Sequence, residues 1–146
     1  MSLTALLAMP VLAVEKPNLT GSWRLNPSKS DSHAAKVTGT TWVIDQKESA
    51  LHVSEISQRA DGKEVKTDFD CTTDGKECEF KLDGQAAKIS FWFNGTVLVE
   101  MESRGSNRET IVEKKMRLSG DGKSMSVEYV PVAGGGQAGK MVFEKQ

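Results

Sequence analysis

Polar and apolar residues alternate along much of the chain, and the alternation has a period of two. In the clearest run, residues 65–71, one face carries Val65, Thr67, Phe69 and Cys71, whereas the other carries Lys66, Asp68 and Asp70. Residues 78–83 repeat the pattern. A period of two is typical of strands that bury one face, whereas helices repeat every three to four residues. The pattern therefore predicts half-buried β-strands.

Turn dipeptides separate these apolar runs. Five are of the kind that β-hairpins prefer: Asp61-Gly62, Asp74-Gly75, Asp83-Gly84, Asn94-Gly95 and Asp121-Gly122. Further strands are predicted at 20–26, 40–46, 50–57 and 140–144. An all-β antiparallel meander of about 8–10 strands is more than one open sheet holds comfortably, so closure into a barrel is predicted. A β-sandwich built from the same hairpins is the alternative.

Strand register can be predicted by matching apolar positions across each turn. A two-residue turn at 121–122 places apolar residues opposite apolar residues. At 94–95 the best match comes from a longer loop with a bulge, which places Phe91 opposite Val97. This register assumes that the inward face of both strands is apolar.

The length and charge of the chain limit the classes of function that it can have. The chain has 146 residues with 38% hydrophobic residues, which fits one domain with its own core. Lys and Arg number 19 and Asp and Glu number 20, so the net charge is -1. No overall positive field attracts a polyanion, and nucleic-acid binding is not expected.

The first residues differ from the rest. Residues 3–14 form an apolar run that is too short to span a bilayer and resembles the core of a signal peptide, although the usual preceding basic segment is missing. Residues 1–14 are therefore predicted to be a residual signal-peptide segment and 19–146 the folded domain. The alternative is a buried first strand or helix. We expect an exported protein, periplasmic or secreted, and expect Leu6, Leu7 and Leu12 to dock on an apolar surface of the barrel or of a neighbouring molecule.

The expected export affects the oxidation state that we predict for the two cysteines. A two-residue turn at 74–75 places Cys71 opposite Cys78 and Phe69 opposite Phe80. Opposed strand residues lie within the range of a disulfide, and an oxidising compartment favours one. The two are expected either to form a disulfide or to remain small core residues.

The segment 19–30 resembles the opening of small exported bacterial lipocalin-like proteins, and its Gly21-x-Trp23 is similar to the first-strand motif of lipocalins. The resemblance implies a calycin-type barrel whose floor Trp23 closes, with Arg117 packed on that ring. The lipocalin Thr-Asp-Tyr motif and a helix after the last strands are both missing from this sequence.

The remaining aromatic and sulfur-containing residues lie on faces expected to point inward: Trp42, Phe69, Phe80, Phe91, Met101 and Tyr129. They either fill the barrel or line a cavity for one small apolar ligand. By alternation, Trp92 points outward.

No residue pattern indicates catalysis. His33 and His52 have no partners at metal-ligand spacing, and the glycine-rich segment 134–140 lacks the Ser or Thr and the helix of a phosphate-binding loop. We expect no metal, no cofactor and no enzyme. The leading hypothesis is an exported binding protein that holds a small apolar ligand in its barrel. The alternative is an envelope interaction or inhibitor module with a solid core, whose protein partner the sequence does not identify.

Overall fold

The structure is a computed structural model that describes residues 10, 12–31, 39–59, 61–82 and 84–146. These residues form a short 3-10 helix, Pro27–Lys29, and ten strands: β1 (Gly21–Leu25), β2 (Thr41–Lys47), β3 (Ala50–Gln58), β4 (Glu64–Thr72), β5 (Cys78–Leu82), β6 (Gln85–Asn94), β7 (Val97–Arg104), β8 (Thr110–Leu118), β9 (Ser124–Ala133) and β10 (Gly139–Lys145). Within these ranges no helix has the length and apolar character needed to cross a membrane.

All ten strands belong to one antiparallel sheet in the order β4-β3-β2-β1-β10-β9-β8-β7-β6-β5. The first strand pairs with the last, with Leu25 opposite Phe143, so the sheet curls round on itself. The result is a nearly closed barrel of the calycin kind. The predicted all-β meander is confirmed, and the barrel rather than the sandwich is correct.

The barrel remains unpaired at one place, the gap between β4 and β5, which we call the seam. No backbone ladder joins these strands in the described residues. The seam is instead crossed by a disulfide between Cys71 and Cys78, whose Cα atoms are 5.6 Å apart. Beside it the rings of Phe69 and Phe80 contact each other, with centroids 5.0 Å apart. Side chains, not backbone hydrogen bonds, hold the two sheet ends together.

The predicted hairpin between β4 and β5 is therefore wrong, although its cysteines do meet. The connecting backbone is bound by β6 instead: the Gly75 amide donates to the Phe91 carbonyl over 2.8 Å, and Asp74 forms an isolated bridge with Trp92. Because the connection folds over β6, it cannot act as a tight turn between β4 and β5.

The register between β6 and β7 also differs from the prediction. A two-residue turn at Gly95 and Thr96 connects them, and Gly95 takes a φ of +62° that favours glycine. Phe91 consequently lies opposite Glu100 rather than Val97. The shift turns two glutamates of β7 toward the interior. The turn between β8 and β9, by contrast, has the predicted register.

Trp23 closes one end of the barrel. Its side chain is fully buried at 0% exposure, and its indole Nε1 donates to the Leu19 carbonyl over 2.8 Å. The chain before β1 is held across this end by Gln46, whose side chain bonds the Leu19 amide and the Pro17 carbonyl. Because the large side chain is completely buried and its N–H has a hydrogen-bond acceptor, Trp23 is a structural residue.

The cation beside Trp23 is not the predicted one. Lys145, opposite Trp23 on β10, places its ammonium 5.5 Å from the ring centroid. Arg117 follows the buried Met116 on β8, so alternation directs it to the outer face, where its Nη1 lies 3.2 Å from Glu128. The prediction that Arg117 packs on Trp23 is therefore wrong.

The predicted docking of the N-terminal segment on its own barrel is wrong where the structure describes it, and docking on a neighbouring molecule stays a prediction. The side chain of Leu12 is 88% exposed, and Val14 is also exposed. Leu6 and Leu7 lie outside the described residues. The described part of this segment therefore covers no apolar surface.

Candidate functional site

A cavity lies inside the barrel. Its volume available to the centre of a water molecule is about 80 Å³, and the empty space between the lining atoms, the part open to solvent included, is about 620 Å³. A single water needs roughly 10–15 Å³ by the first measure. The cavity therefore has room for several waters or one compact small molecule, and the barrel interior is not solid.

Most of the cavity wall is apolar. The lining residues of this kind come from β2 to β8: Trp42, Ile44, Leu51, Val53, Phe69, Phe80, Leu82, Ile89, Phe91, Leu98 and Met116. Phe69 lies at the centre of the aromatic group, with ring centroids 5.0 Å from Phe80 and 6.1 Å from Phe91. Two of these rings flank the seam, so the seam forms part of the cavity wall.

The rest of the wall is polar and, apart from Thr67, consists of charged residues. Lys114 donates to Glu100 over 2.7 Å and to Glu102 over 3.2 Å. Arg104 Nε also donates to Glu102. The two glutamate side chains are only 5% and 6% exposed. With Glu55 these residues form what we call the charged wall.

The strand register explains how the charged wall assembles. Lys114 on β8 lies directly opposite Glu100 on β7, and Glu102 follows two residues later on the same face. Cross-strand neighbours of opposite charge stabilise a sheet, and buried charges require such pairing. Glu55 comes from β3, where its cross-strand neighbours are Trp42 on β2 and Thr67 on β4.

The pKa values within the charged wall reflect its burial and its pairing. Burial raises the pKa of Glu100 and outweighs the opposing effect of Lys114. Burial also acts to raise the pKa of Glu102, but Lys114 and Arg104 together hold it below its usual value. For Lys114, burial favours the neutral form, but Glu100, Glu102 and Glu55 outweigh it and raise its pKa. Lys114 is therefore a fixed cation at neutral pH.

Two polar groups of the cavity wall lack a hydrogen-bond partner among the described residues. The Trp42 indole Nε1 is buried and donates no hydrogen bond, although its ring stacks on Phe143 with centroids 4.3 Å apart. The Glu55 carboxylate is half-buried and has no direct hydrogen bond within the described chain, although it is close enough to Lys114 to help raise the pKa of that residue. Buried polar groups are normally hydrogen-bonded, so the Trp42 N–H is an exception, and the partly exposed Glu55 carboxylate beside it is open to a bound molecule.

The structure places four of the six predicted interior residues in the cavity wall: Trp42, Phe69, Phe80 and Phe91. The prediction that Met101 points inward is wrong, because the β6–β7 register turns its side chain outward, opposite Ser90 and Glu113. Tyr129 is half-buried and does not line this cavity, and burial with the nearby Asp31 carboxylate raises its pKa. Trp92 lies on the outer face, as predicted.

Sequence reasoning missed the charged wall entirely. A rule that matches apolar residues across a turn cannot place Glu100 and Glu102 inside. One signal was available: a two-residue turn at 95–96 leaves Glu100, Glu102 and Arg104 on one face of β7. A lysine on the facing strand would then have been the expected counterion.

Comparison with known proteins shows that this chain has a fold similar to that of several solved structures. No protein-family model and no curated protein matches the chain. Among solved structures, lipid binding protein 8 of Caenorhabditis elegans aligns with a TM-score of 0.67 at 12% identity, over 88% of this chain and 95% of that one. A secretory abundant heat soluble protein of Ramazzottius varieornatus aligns with a TM-score of 0.68 at 14% identity, over 87% and 94% of the two chains.

A third structure, the fatty-acid-binding protein of Manduca sexta, aligns with a TM-score of 0.59 at 11% identity, over 87% of this chain and 99% of that one. Each alignment spans nearly the whole length of the known structure. At these identities the comparisons show a shared barrel fold.

Proposed function

We propose that this protein binds a small, largely apolar molecule in its barrel and carries out no covalent chemistry on it. The observation that carries the proposal is the cavity itself, which is bounded by aromatic and aliphatic side chains with a few polar groups at one side. This is the usual composition of small-molecule sites. Two of the structures of similar fold belong to proteins named for binding lipid or fatty acid, which supports the same class of ligand.

The cavity also weighs against the alternative function. A module that acts only through its outer surface has no need of an open interior, and filling such a cavity with apolar side chains stabilises a protein. Here the side chains that line the barrel leave open space instead of closing it. Burying a ligand's apolar atoms in that space contributes about 25 cal/mol per Å² of surface removed from water.

We further propose that the protein is exported. Disulfides persist mainly in oxidising compartments, and Cys71 and Cys78 are bonded across the seam. Fractionation of the native cells, with thiol labelling of each fraction before reduction, tests this. Export requires the protein in the envelope or medium with both cysteines unlabelled, and a cytosolic protein with two free thiols would overturn it.

The binding proposal is tested with octanol, a simple apolar probe, by isothermal titration calorimetry. Val53→Trp places a large side chain inside the cavity, because Val53 is a buried lining residue. Val43→Trp makes the same change on the outer face of β2, where Val43 is exposed. We expect binding by the wild type and by Val43→Trp, and loss of binding in Val53→Trp.

Circular dichroism establishes that each variant is folded, since overpacking a core costs about 1–3 kcal/mol. If Val53→Trp does not fold, Val53→Phe is the smaller replacement. Equal affinity of the inward and outward variants would place the octanol site outside the barrel and refute the proposal. Native mass spectrometry of the protein purified without denaturation then identifies any molecule that it retains.

A further inference from the structure

The charged wall contains more carboxylates than cations. Glu55, Glu100 and Glu102 face the cavity with Lys114 and Arg104, so the formal charge of the wall is negative. Both cations already have carboxylate partners within hydrogen-bond distance. The apolar side of the cavity suits the body of a ligand, and this wall decides which head group can accompany it.

A carboxylate head group does not fit this wall. To reach Lys114, whose side chain is 16% exposed, it would have to displace Glu100 or Glu102 and leave that glutamate buried without a counterion. Arg104 lies farther out, with 45% exposure, and is already bonded to Glu102. Like charges brought together in a buried site disfavour binding.

Glu55 offers the opposite chemistry. Its carboxylate faces the cavity and has no direct hydrogen bond in the described residues, whereas Lys114, the cation that acts on it, is bonded to Glu100 and Glu102. The buried hydroxyl-bearing Thr67 lies opposite Glu55 on β4. A protonated amine here would contact the Glu55 carboxylate and lie near a second, Glu100. The pair of opposite charges would form without breaking any bond that the structure already contains.

Trp42 gives an independent indication of a ligand. This residue lies next to Glu55 in the β2–β3 register, lines the cavity and is 95% buried, and its Nε1 donates to no atom of the described chain. An N–H of this kind needs an acceptor. A hydroxyl or ether oxygen close to the amine of the ligand would supply one.

We propose that the ligand is an amphiphilic amine whose apolar body lies among the aromatic side chains, with its ammonium against Glu55 and a neighbouring oxygen accepting from Trp42. The inference rests on the proposed function, since it assumes that the cavity is a binding site. It predicts discrimination against fatty acids, although the barrel has the fold of proteins named for binding them.

The head group is tested by titrating the protein with octylamine, octanol and octanoate, which share one tail. We expect octylamine to bind about tenfold more tightly than octanol, because one charge-assisted hydrogen bond supports an affinity ratio of about that size. We expect octanoate to bind at least about tenfold more weakly than octanol. If octanoate binds most tightly, the head-group inference is wrong and the proposed function stands. If none of the three binds, the proposed function itself fails.

Two pairs of measurements locate the contacts. Glu55→Gln is expected to remove the preference for octylamine over octanol. Glu79→Gln makes the same change of charge at an exposed, outward position of β5, and this variant is expected to retain the preference. Trp42→Phe is expected to bind 1-amino-2-octanol no better than octylamine, whereas the wild type binds the amino alcohol several-fold better. A preference for octylamine that survives Glu55→Gln would overturn the assignment of Glu55, and an unchanged advantage of the amino alcohol in Trp42→Phe would overturn that of Trp42.

Discussion

Lys114 is the residue whose replacement tests the charged wall most directly. Lys114→Met keeps a side chain of similar length and removes the ammonium that bonds Glu100 over 2.7 Å and Glu102 over 3.2 Å. Removing one partner of a buried ion pair leaves an uncompensated charge and costs about 3–5 kcal/mol. Arg104 still pairs with Glu102, so the expected loss lies toward the lower end, about 3 kcal/mol.

The neighbouring Lys115 is the matched control. It points outward on the same strand and lies 3.3 Å from Glu113 with 42% of its side chain exposed. Exposed pairs of this kind contribute about 0–1 kcal/mol. Urea unfolding at pH 7, followed by circular dichroism, gives both free energies of unfolding from the midpoint and slope. If Lys114→Met costs no more than Lys115→Met, the charged wall does not hold buried charge and the reasoning is wrong.

The dependence on pH provides a second check of the same variant. Without Lys114, the cation that opposes the effect of burial on Glu100 is gone, so the pKa of Glu100 stays above its usual value. A group whose pKa is raised on folding favours the folded state at low pH. The deficit relative to wild type should therefore shrink as the pH falls from 7 toward the unfolded carboxyl pKa of about 4.3. The double variant Lys114→Met, Glu100→Gln should recover most of the loss at pH 7, because Glu100 is the carboxylate left without a cation while Arg104 still pairs with Glu102.

Three further outcomes follow from the fold. Replacing both Cys71 and Cys78 with serine should lower the free energy of unfolding by about 2–3 kcal/mol, as expected for a closed loop with a sequence separation of 7, and reducing agent should leave that variant unchanged in a thermal melt. Trp23→Ala should cost about 3–5 kcal/mol in urea unfolding, because it empties the closed end of the barrel, and an unchanged midpoint would contradict its structural role. The exposed pair of His52 and Asp70, 2.7 Å apart, should contribute less than about 1 kcal/mol in a double-mutant cycle.

The alternation of polar and apolar residues was sufficient to predict the fold. One-sided strands separated by Asp-Gly and Asn-Gly turns leave few arrangements besides a meander, and the number of strands favours closure. The β8–β9 turn followed the expected register because its inward positions, Met116 and Val127 among them, really are apolar. Where local propensity, pattern and packing agree, a sequence can be interpreted directly.

The errors occur where that agreement fails. Between β6 and β7 the inward positions of β7 include Glu100 and Glu102, so matching apolar residues chose the wrong register and placed Met101 inside. At the seam, the connection after β4 bonds to β6, a contact distant in sequence that the dipeptide Asp74-Gly75 does not reveal. Arg117 was assigned by resemblance alone, and its place on the outer face follows from its neighbour Met116.

The same charges that defeated the register prediction also connect the fold to the proposed site. Burying Lys114 with two glutamates gives the barrel little net stability, because apolar residues of similar volume usually do as well or better in such positions. Nor does the cluster neutralise itself, since Glu55 adds a third carboxylate to a wall with two cations. A wall of this kind is costly for folding alone, and its cost falls when a cation enters beside it. Under the proposed assignment, the side of the cavity that contributes least to stability is the side that selects the ligand.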